Sequence, residues 1–274
     1  MICRNNIFIW LGVLTILLFL NIDVISQHRY IKDINSSLNK SEKEAIIILP
    51  GFGDSKKGRK EQLEFFREKD FDIYIPLYKD KETVDNCVKN FEMFYEDEKM
   101  SNYKKVHVFS YIIGSWTVNK YINDNGVKNI RTIVYDRSPI QERTPYVAYT
   151  YLKRIALAKI GPILKDFVNT PYPAILNDSI NIGIIIENKA TKFMRIYKKK
   201  TLRMGPINWQ VDSLLQSNDD FFYTWLNHDQ MYKRFDIVGN EIIFFINNGK
   251  FTDSAKKEKF NWDPFVSYKK EGFK

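Results

Sequence analysis

The sequence predicts an α/β fold in which a mostly parallel sheet is flanked by helices. Short apolar runs rich in β-branched residues recur along the chain, segments with one apolar stripe alternate with them, and Gly or Pro turns separate the two. A strand buried on both faces has such a continuous apolar composition, and strands that alternate with helices form the crossover units of a parallel sheet. The 274 residues contain no linker rich in Gly, Pro or Ser, so we expect one domain.

The predicted elements follow one another in a regular order. The strands are the apolar runs 45–50, 71–77, 105–109, 130–135, 182–186 and 221–226. The helices are the segments with apolar residues at helical spacing, 60–69, 83–99, 114–123 and 237–247, the last of which ends at Gly249. Between residues 146 and 178 the alternation of strands and helices is broken by Gly and Pro. This break predicts a helical cap insertion after strand 130–135, which corresponds to the sixth strand of the superfamily named below.

The first 26 residues contain the clearest targeting signal. An uncharged apolar run from Ile7 to Leu20 follows Arg4. At about 14 residues, this run is shorter than the roughly 18–20 residues that span a bilayer. It falls within the length range of the apolar region of a secretory signal peptide. A cleaved signal and a retained single-span signal anchor both remain open, with topology undecided, so we expect an exported or membrane-anchored protein. Residues 27–44 are polar and are expected to link this segment to a domain at 45–274.

The net charge of +9 arises from 42 Lys and Arg interspersed with 33 Asp and Glu, and the densest run is Lys198, Lys199, Lys200 and Arg203. Because the sequence contains no zinc-finger spacing, RNP-like strand or helix-turn-helix pattern, we do not expect a nucleic-acid partner. A basic surface beside an anionic membrane is favoured over nucleic acid, while ordinary solvated charge is the other alternative. No metal or cofactor is expected, because the two cysteines form no ligand cluster and no nucleotide or zinc-protease motif occurs.

Four loops follow the carboxyl ends of predicted strands, where the reactive groups of parallel α/β sheets collect. The first contains Gly51, Phe52 and Gly53, whose amides could stabilise an oxyanion or contact a ligand, although an ordinary tight turn has the same composition. The second runs from residue 110 to 116. The third contains Asp136, and the fourth contains His228, the one histidine placed to act as a base.

The order and spacing of these segments resemble the α/β-hydrolase superfamily, and its esterases and lipases in particular, over residues 45–251. In that family the nucleophilic serine lies in a G-x-S-x-G turn between a strand and a helix. Gly114 matches the second Gly of this pattern, Ser110 occupies the position of the first, and Ile112 occupies the position of the nucleophile. The resemblance implies that His228 is the general base. It also makes Asp136 a candidate triad acid, since the commoner position after strand 182–187 has no Asp; pairing with Arg137 or helix capping is the alternative.

Two functions remain open for this degenerate elbow, and whether the protein is an enzyme depends on which applies. A hydrocarbon side chain cannot act as a nucleophile. The first function is therefore a pseudohydrolase that binds an acyl or other apolar ligand, or a partner protein, and it includes a membrane-tethered scaffold. The second is an active serine esterase or lipase that uses Ser110, Asp136 and His228. Because Ser110 lies one strand repeat, about 6–7 Å, behind Ile112, we favour the first. The sequence leaves the oligomeric state open.

Overall fold

The computed structural model describes residues 30–67, 69–176 and 178–266. Within them, seven strands form one sheet in the order β1-β3-β2-β4-β5-β6-β7. The strands are β1 (Tyr30–Asp33), β2 (Glu44–Leu49), β3 (Phe71–Pro76), β4 (Lys105–Ser110), β5 (Ile130–Arg137), β6 (Asn181–Lys189) and β7 (Asp220–Asn227). All neighbouring pairs are parallel except β1 and β3. The six predicted strands therefore lie in one mostly parallel sheet, as expected.

Strand β1 corrects the expectation that residues 27–44 are only a linker. It pairs antiparallel with β3 at the edge of the sheet. An edge strand has a neighbour on one side only, and β1 is partly exposed along its length. It therefore needs no continuous apolar run, which was the feature used to predict the other strands. Lys43, directly before β2, is buried, and its ammonium pairs with the carboxylate of Asp72 in β3 at 2.6 Å.

Long helices cover both faces of the sheet. They are α1 (Lys56–Phe66), α2 (Val84–Asp97), α3 (Ile112–Asn125) and, at the end of the described chain, α10 (Phe235–Asn248). Buried residues of α2 and α3 join the core on one face, and those of α1 and α10 join the core on the other. Hydroxyl side chains cap the N-termini of α1 and α2. Ser55 accepts a hydrogen bond from the Gly58 amide, and Thr83 accepts one from the Asn86 amide. The predicted end at Gly249 is also confirmed, with a left-handed φ of 70°.

The predicted cap lies between β5 and β6. It consists of α4 (Thr144–Tyr151), α5 (Lys153–Ile160) and α6 (Ile163–Asn169), each about two turns long. Two further short helices, α7 (Lys192–Ile196) and α8 (Lys198–Leu202), follow β6, in a region whose sequence pattern was ambiguous. The last short helix, α9 (His228–Met231), follows β7 directly. The cap thus lies at the carboxyl edge of the sheet, where the candidate site residues were expected.

Within the described residues, no helix combines the length and the apolar composition that are needed to cross a bilayer. The predicted targeting segment at residues 1–26 lies outside the described residues, and its role stays a prediction.

Candidate functional site

His228 lies where β7 ends and α9 begins. The preceding residue, Asn227, accepts a hydrogen bond from the Gln230 amide, and the Gln230 side chain accepts from the Asn227 amide, which completes a capping box. These two hydrogen bonds fix the turn that carries His228. The histidine is buried, and it lines a cavity under the cap.

Two buried carboxylates hold one edge of the His228 ring. Its Nδ1 lies 2.6 Å from Oε1 of Glu187 and 3.3 Å from Oδ2 of Asp136. Asp136 lies near the end of β5 and Glu187 near the end of the neighbouring β6, which brings the two acids together. The predicted Asp136 therefore contacts the histidine, but Glu187 makes the hydrogen bond. Sequence reasoning missed Glu187 because it looked for an Asp after this strand rather than a Glu within it.

Burial and mutual repulsion control the charge of this group. Burial, followed by the charge of Asp136, raises the pKa of Glu187 well above its usual value, and burial also raises the pKa of Asp136. Burial alone would lower the pKa of His228, but the charge of Glu187 and the contacts of the ring N–H with both carboxylates outweigh burial and raise this pKa to about 10. At neutral pH the ring is therefore an imidazolium, and it lies beside two carboxyl groups whose pKa values are raised by burial.

The same three residues are the group of potential metal ligands found in the described part of the chain. Two ligands of one tetrahedral zinc ion lie about 3.3 Å apart, given a metal–ligand distance of about 2 Å. The separation of 2.6 Å between Nδ1 of His228 and Oε1 of Glu187 is shorter and is that of a charge-assisted hydrogen bond. The geometry therefore fits an acid–histidine pair better than a metal centre.

The turn between β4 and α3 contains Ser110, Ile112 and Gly114, the residues that the sequence aligns with the nucleophile elbow. A Cβ on Gly114 would lie 2.7 Å from both the Cβ and the carbonyl oxygen of Leu49, so only glycine allows this approach of helix and strand. Ser110 is the last residue of β4 and Ile112 is the first of α3. Ile112 lines the cavity together with His228. Ser110 is fully buried, and its hydroxyl lies 3.2 Å from that of Ser115.

Ile112, the first helical residue of α3, has no positive φ, whereas the nucleophile of an active hydrolase lies on a strained turn. Tyr111, between Ser110 and Ile112, is extended, with a φ of −84° and a ψ of 169°. Its ring stacks on Tyr232 at 3.9 Å between centroids, and both rings meet the His228 ring edge to face. Tyr111 and Tyr232 therefore pack the back of the site, a role that no sequence pattern indicated.

The predicted oxyanion loop is held in place by side chains from three directions. The Gly51 amide donates to the Tyr232 hydroxyl at 2.9 Å, so this amide is already used. The Gly51 carbonyl accepts from the Lys79 ammonium at 2.8 Å. The Phe52 ring reaches across to Phe167 of the cap in an edge-to-face contact, with centroids 6.4 Å apart. Gly51, Phe52 and Gly53 all line the cavity, as the sequence suggested for a ligand loop.

The cavity itself has a volume of about 460 Å³ and separates the sheet edge from the cap. Most of its wall is apolar, and it comes from all three cap helices, α3 and α7; the contributing side chains are Ile112, Ile113, Pro145, Ala148, Leu152, Ile155, Ala156, Ile160, Leu164, Phe167 and Phe193. The polar contributions include His228, Gln141 and Lys159. A mostly apolar cleft with a few converging polar groups is typical of a small-molecule site.

No protein-family profile and no curated protein matches the sequence. Solved structures do match in fold. The mature form of a lipase from Bacillus licheniformis superposes with a TM-score of 0.52 and 13% identity over 80% of this chain and 97% of that chain. A thermophilic esterase from Thermogutta terrifontis superposes with a TM-score of 0.50 and 8% identity, over 80% of this chain and 93% of the esterase. A juvenile hormone epoxide hydrolase from Bombyx mori superposes with a TM-score of 0.50 and 9% identity, over 80% of this chain and 73% of the hydrolase. Together with the sheet order, the cap and the acid–histidine pair, these likenesses show that the chain has the fold of the α/β-hydrolase superfamily.

Proposed function

We propose that this protein is a pseudohydrolase that binds an acyl compound in the cavity under its cap without cleaving it. The observation that carries the proposal is that Ile112, which the sequence aligns with the nucleophile, lines the same cavity as His228. Loss of the nucleophile from a serine-hydrolase triad removes roughly three to six decades of rate. The alternative, an active esterase or lipase that uses Ser110, has less support, because the Ser110 hydroxyl is buried against Ser115.

The charge of His228 also favours binding over hydrolysis. A general base must be neutral to accept the serine proton, and it works best with a pKa near the working pH. The pKa of His228 is raised to about 10, so the ring already holds both protons at neutral pH. It can donate a hydrogen bond but cannot accept a proton.

The ligand class follows from the two ends of the cavity. Near Ile112, the imidazolium of His228 presents Nε2, since Nδ1 is bonded to Glu187. Helix α3 begins at the same place, and no side chain caps its first amides. An imidazolium and a helix N-terminus both favour a negative charge. The other walls are mostly apolar, and their polar residues are Gln141, Thr144, Lys159 and Asp229. We therefore propose a fatty acid with a free carboxylate, bound with its head group at His228 and its chain under the cap.

Two reagents test for the absence of hydrolysis. We expect the protein to turn over neither short nor long p-nitrophenyl esters and to resist labelling by a fluorophosphonate, at the level of its His228→Ala and Ser110→Ala variants. Stoichiometric labelling that Ser110→Ala removes would establish the esterase alternative instead. If Ile112→Ser gains labelling that depends on His228, loss of the nucleophile is the change that silenced the site.

Binding is tested with two matched tryptophan variants in α5. Ala156 lines the cavity, whereas Ala158, two residues further along the same helix, is exposed. Ala156→Trp should weaken the binding of dodecanoate, measured by displacement of a fluorescent fatty acid, by more than about tenfold, while Ala158→Trp should not. Dodecanol should bind the wild-type protein roughly tenfold or more weakly than dodecanoate, because it forms no charge-assisted hydrogen bond. Equal affinity of both variants, or of both ligands, would contradict the proposed site.

For the localisation, we propose that the segment 7–20 targets the chain to a membrane or for export. Two arginines within the run, Leu14→Arg and Leu17→Arg, would cost roughly 2.5–3.5 kcal/mol each for insertion. The double variant should therefore stay in the cytosolic fraction, and a Leu14→Ile/Leu17→Ile control should not. Unchanged fractionation of the arginine variant would refute this role.

A further inference from the structure

The positive charge of the chain is concentrated in two segments around the cavity. Residues 144–165 and 188–211 contain 11 Lys and Arg and no Asp or Glu, whereas the remaining residues contain 31 Lys and Arg against 33 Asp and Glu. These two segments therefore account for the whole net charge of +9. The first comprises α4, α5 and the start of α6, and the second comprises α7 and α8.

The two segments are in contact and form one surface, which we call the cap surface. Phe193 of α7 packs against the apolar residues of the cap helices. The Lys200 ammonium of α8 lies 4.4 Å from the ring centroid of Tyr151 of α4. Arg143, just before α4, donates hydrogen bonds to the carbonyl groups of Thr201 and Gly205. The two segments therefore pack against each other.

Apolar side chains stand exposed among these cations. Ile155 of α5 is 68% exposed and Ile196 of α7 is 67% exposed. Leu202 and Met204 are also exposed large hydrophobic residues of the second segment. Leaving such side chains in water forgoes roughly 25 cal/mol for each Å² that a partner would cover. A patch that combines them with basic side chains is the composition of an interfacial membrane surface.

Cations with and without an acidic partner lie on this surface. Lys198 pairs with Asp263 at 2.7 Å. The exposed Arg154, Lys199 and Arg203 form no ion pair within the described part of the chain. Their charges are thus available to an external anion.

We propose that the cap surface docks on an anionic lipid bilayer. Lipid headgroups neutralise the cations, and the interfacial layer beneath them covers Ile155 and Ile196. A nucleic acid would meet the same cations with phosphates but would leave these apolar side chains facing a charged backbone. Ile155, Lys159 and Phe193 also line the cavity, so its mouth opens on the docked face. This inference stands whether or not the cavity binds a fatty acid.

Vesicle partitioning of the full chain tests the proposal. The partition coefficient is measured for neutral phosphatidylcholine vesicles and for vesicles with equal parts of phosphatidylglycerol, and their ratio is compared between variants. The apolar segment at residues 7–20 contributes to both and cancels in the ratio. Each cation at the bilayer contributes about a fivefold preference for anionic lipid, so Arg154→Gln/Lys199→Gln/Arg203→Gln should lower the ratio on the order of a hundredfold.

The matched control removes the same charge from the opposite edge of the sheet. Lys99, Lys104 and Lys128 are exposed and precede β4 and β5. Their triple glutamine variant should leave the ratio unchanged. An equal fall in both variants, or no fall in either, overturns the proposal. So does a wild-type protein that binds duplex DNA more tightly than anionic vesicles and loses that binding in the first variant.

A fluorescent label tests which face meets the lipid. In a Cys3→Ser background, Cys87 is buried and should not react, so an environment-sensitive dye can be placed at Ile155→Cys or, as a control at the opposite edge, at Leu38→Cys. Anionic vesicles should shift the emission of the dye at position 155 to shorter wavelength and leave the dye at position 38 unchanged. A shift at position 38 alone, or at neither position, overturns the proposed orientation.

Discussion

Replacing Glu142 by glutamine should lower the free energy of unfolding by roughly 3–5 kcal/mol, the usual cost of leaving a buried charge without its partner. Arg137 ends β5 and is only 1% exposed. Its Nε and one terminal nitrogen both donate to the Glu142 carboxylate. The guanidinium also lies over the ring of Tyr172, at 4.3 Å from its centroid. Glutamine keeps the shape of Glu142 and one acceptor, but it removes the countercharge.

Urea unfolding measures this loss, and a second glutamine substitution calibrates it. Glu64 forms an exposed pair with Lys60 at 3.5 Å on α1, so Glu64→Gln should cost less than about 0.5 kcal/mol. Removing the charge of Arg137 as well, in Arg137→Met/Glu142→Gln, should restore part of the stability, because no buried charge then lacks a partner. A loss below about 1 kcal/mol for Glu142→Gln would show that water reaches Arg137.

The sequence predicts strands β2 to β7 because burial leaves a direct trace in composition. A strand such as β2 is covered on both faces, so nearly every residue in it is apolar. The edge strand β1 is half exposed, and four residues are too few for an alternating pattern to stand out. Helices α7 and α8 are about one turn each, which is shorter than the window over which helical spacing can be recognised.

The candidate site is only partly predictable for a similar reason. His228 and Asp136 follow apolar runs, and a polar residue at a strand end can be found by inspection. Glu187 directly follows the run Ile184–Ile185–Ile186, and that position was its signal, since a carboxylate at the end of a buried strand needs a partner. Tyr232 reaches the Gly51 amide from a distant part of the chain, and no local pattern reports such a contact.

The assignment of Ile112 to the nucleophile position stays a prediction, and one close contact supports the register on which it rests. Gly114 is required where α3 meets Leu49, and Ile112 lies two residues before it. The helical backbone of Ile112, which has no positive φ, could not be predicted in this way. It fits a turn without a nucleophile, since strain at an active site persists only where the surrounding structure enforces it.

Raising the pH from 6.5 to about 10 should steadily destabilise the fold through the His228 group. The pKa of His228 is 6.5 in an ordinary environment and about 10 in the folded protein, so its stabilisation is complete below pH 6.5 and is lost as the pH rises through 10. The raised pKa values of Asp136 and Glu187 act in the same direction, because a carboxyl group whose pKa is raised by folding makes the folded state less stable as the pH rises. The expected slope is about 1.4 kcal/mol per pH unit for each proton by which the folded and unfolded states differ.

Two measurements separate this group from the other titrating residues. Burial raises the pKa of Tyr111 and Tyr232 well above the usual value, so these neighbours do not titrate in the same window. In the Asp136→Asn/Glu187→Gln variant, burial lowers the pKa of His228 and no carboxylate raises it. The alkaline fall in the free energy of unfolding should therefore disappear. His107 is the internal control, because burial lowers its pKa despite its contact with Glu44, and His107→Gln should therefore leave the slope unchanged. NMR titration should place the His228 midpoint near 10 and that of His107 below 6.5, whereas a His228 midpoint near 6.5 would restore it as a possible general base.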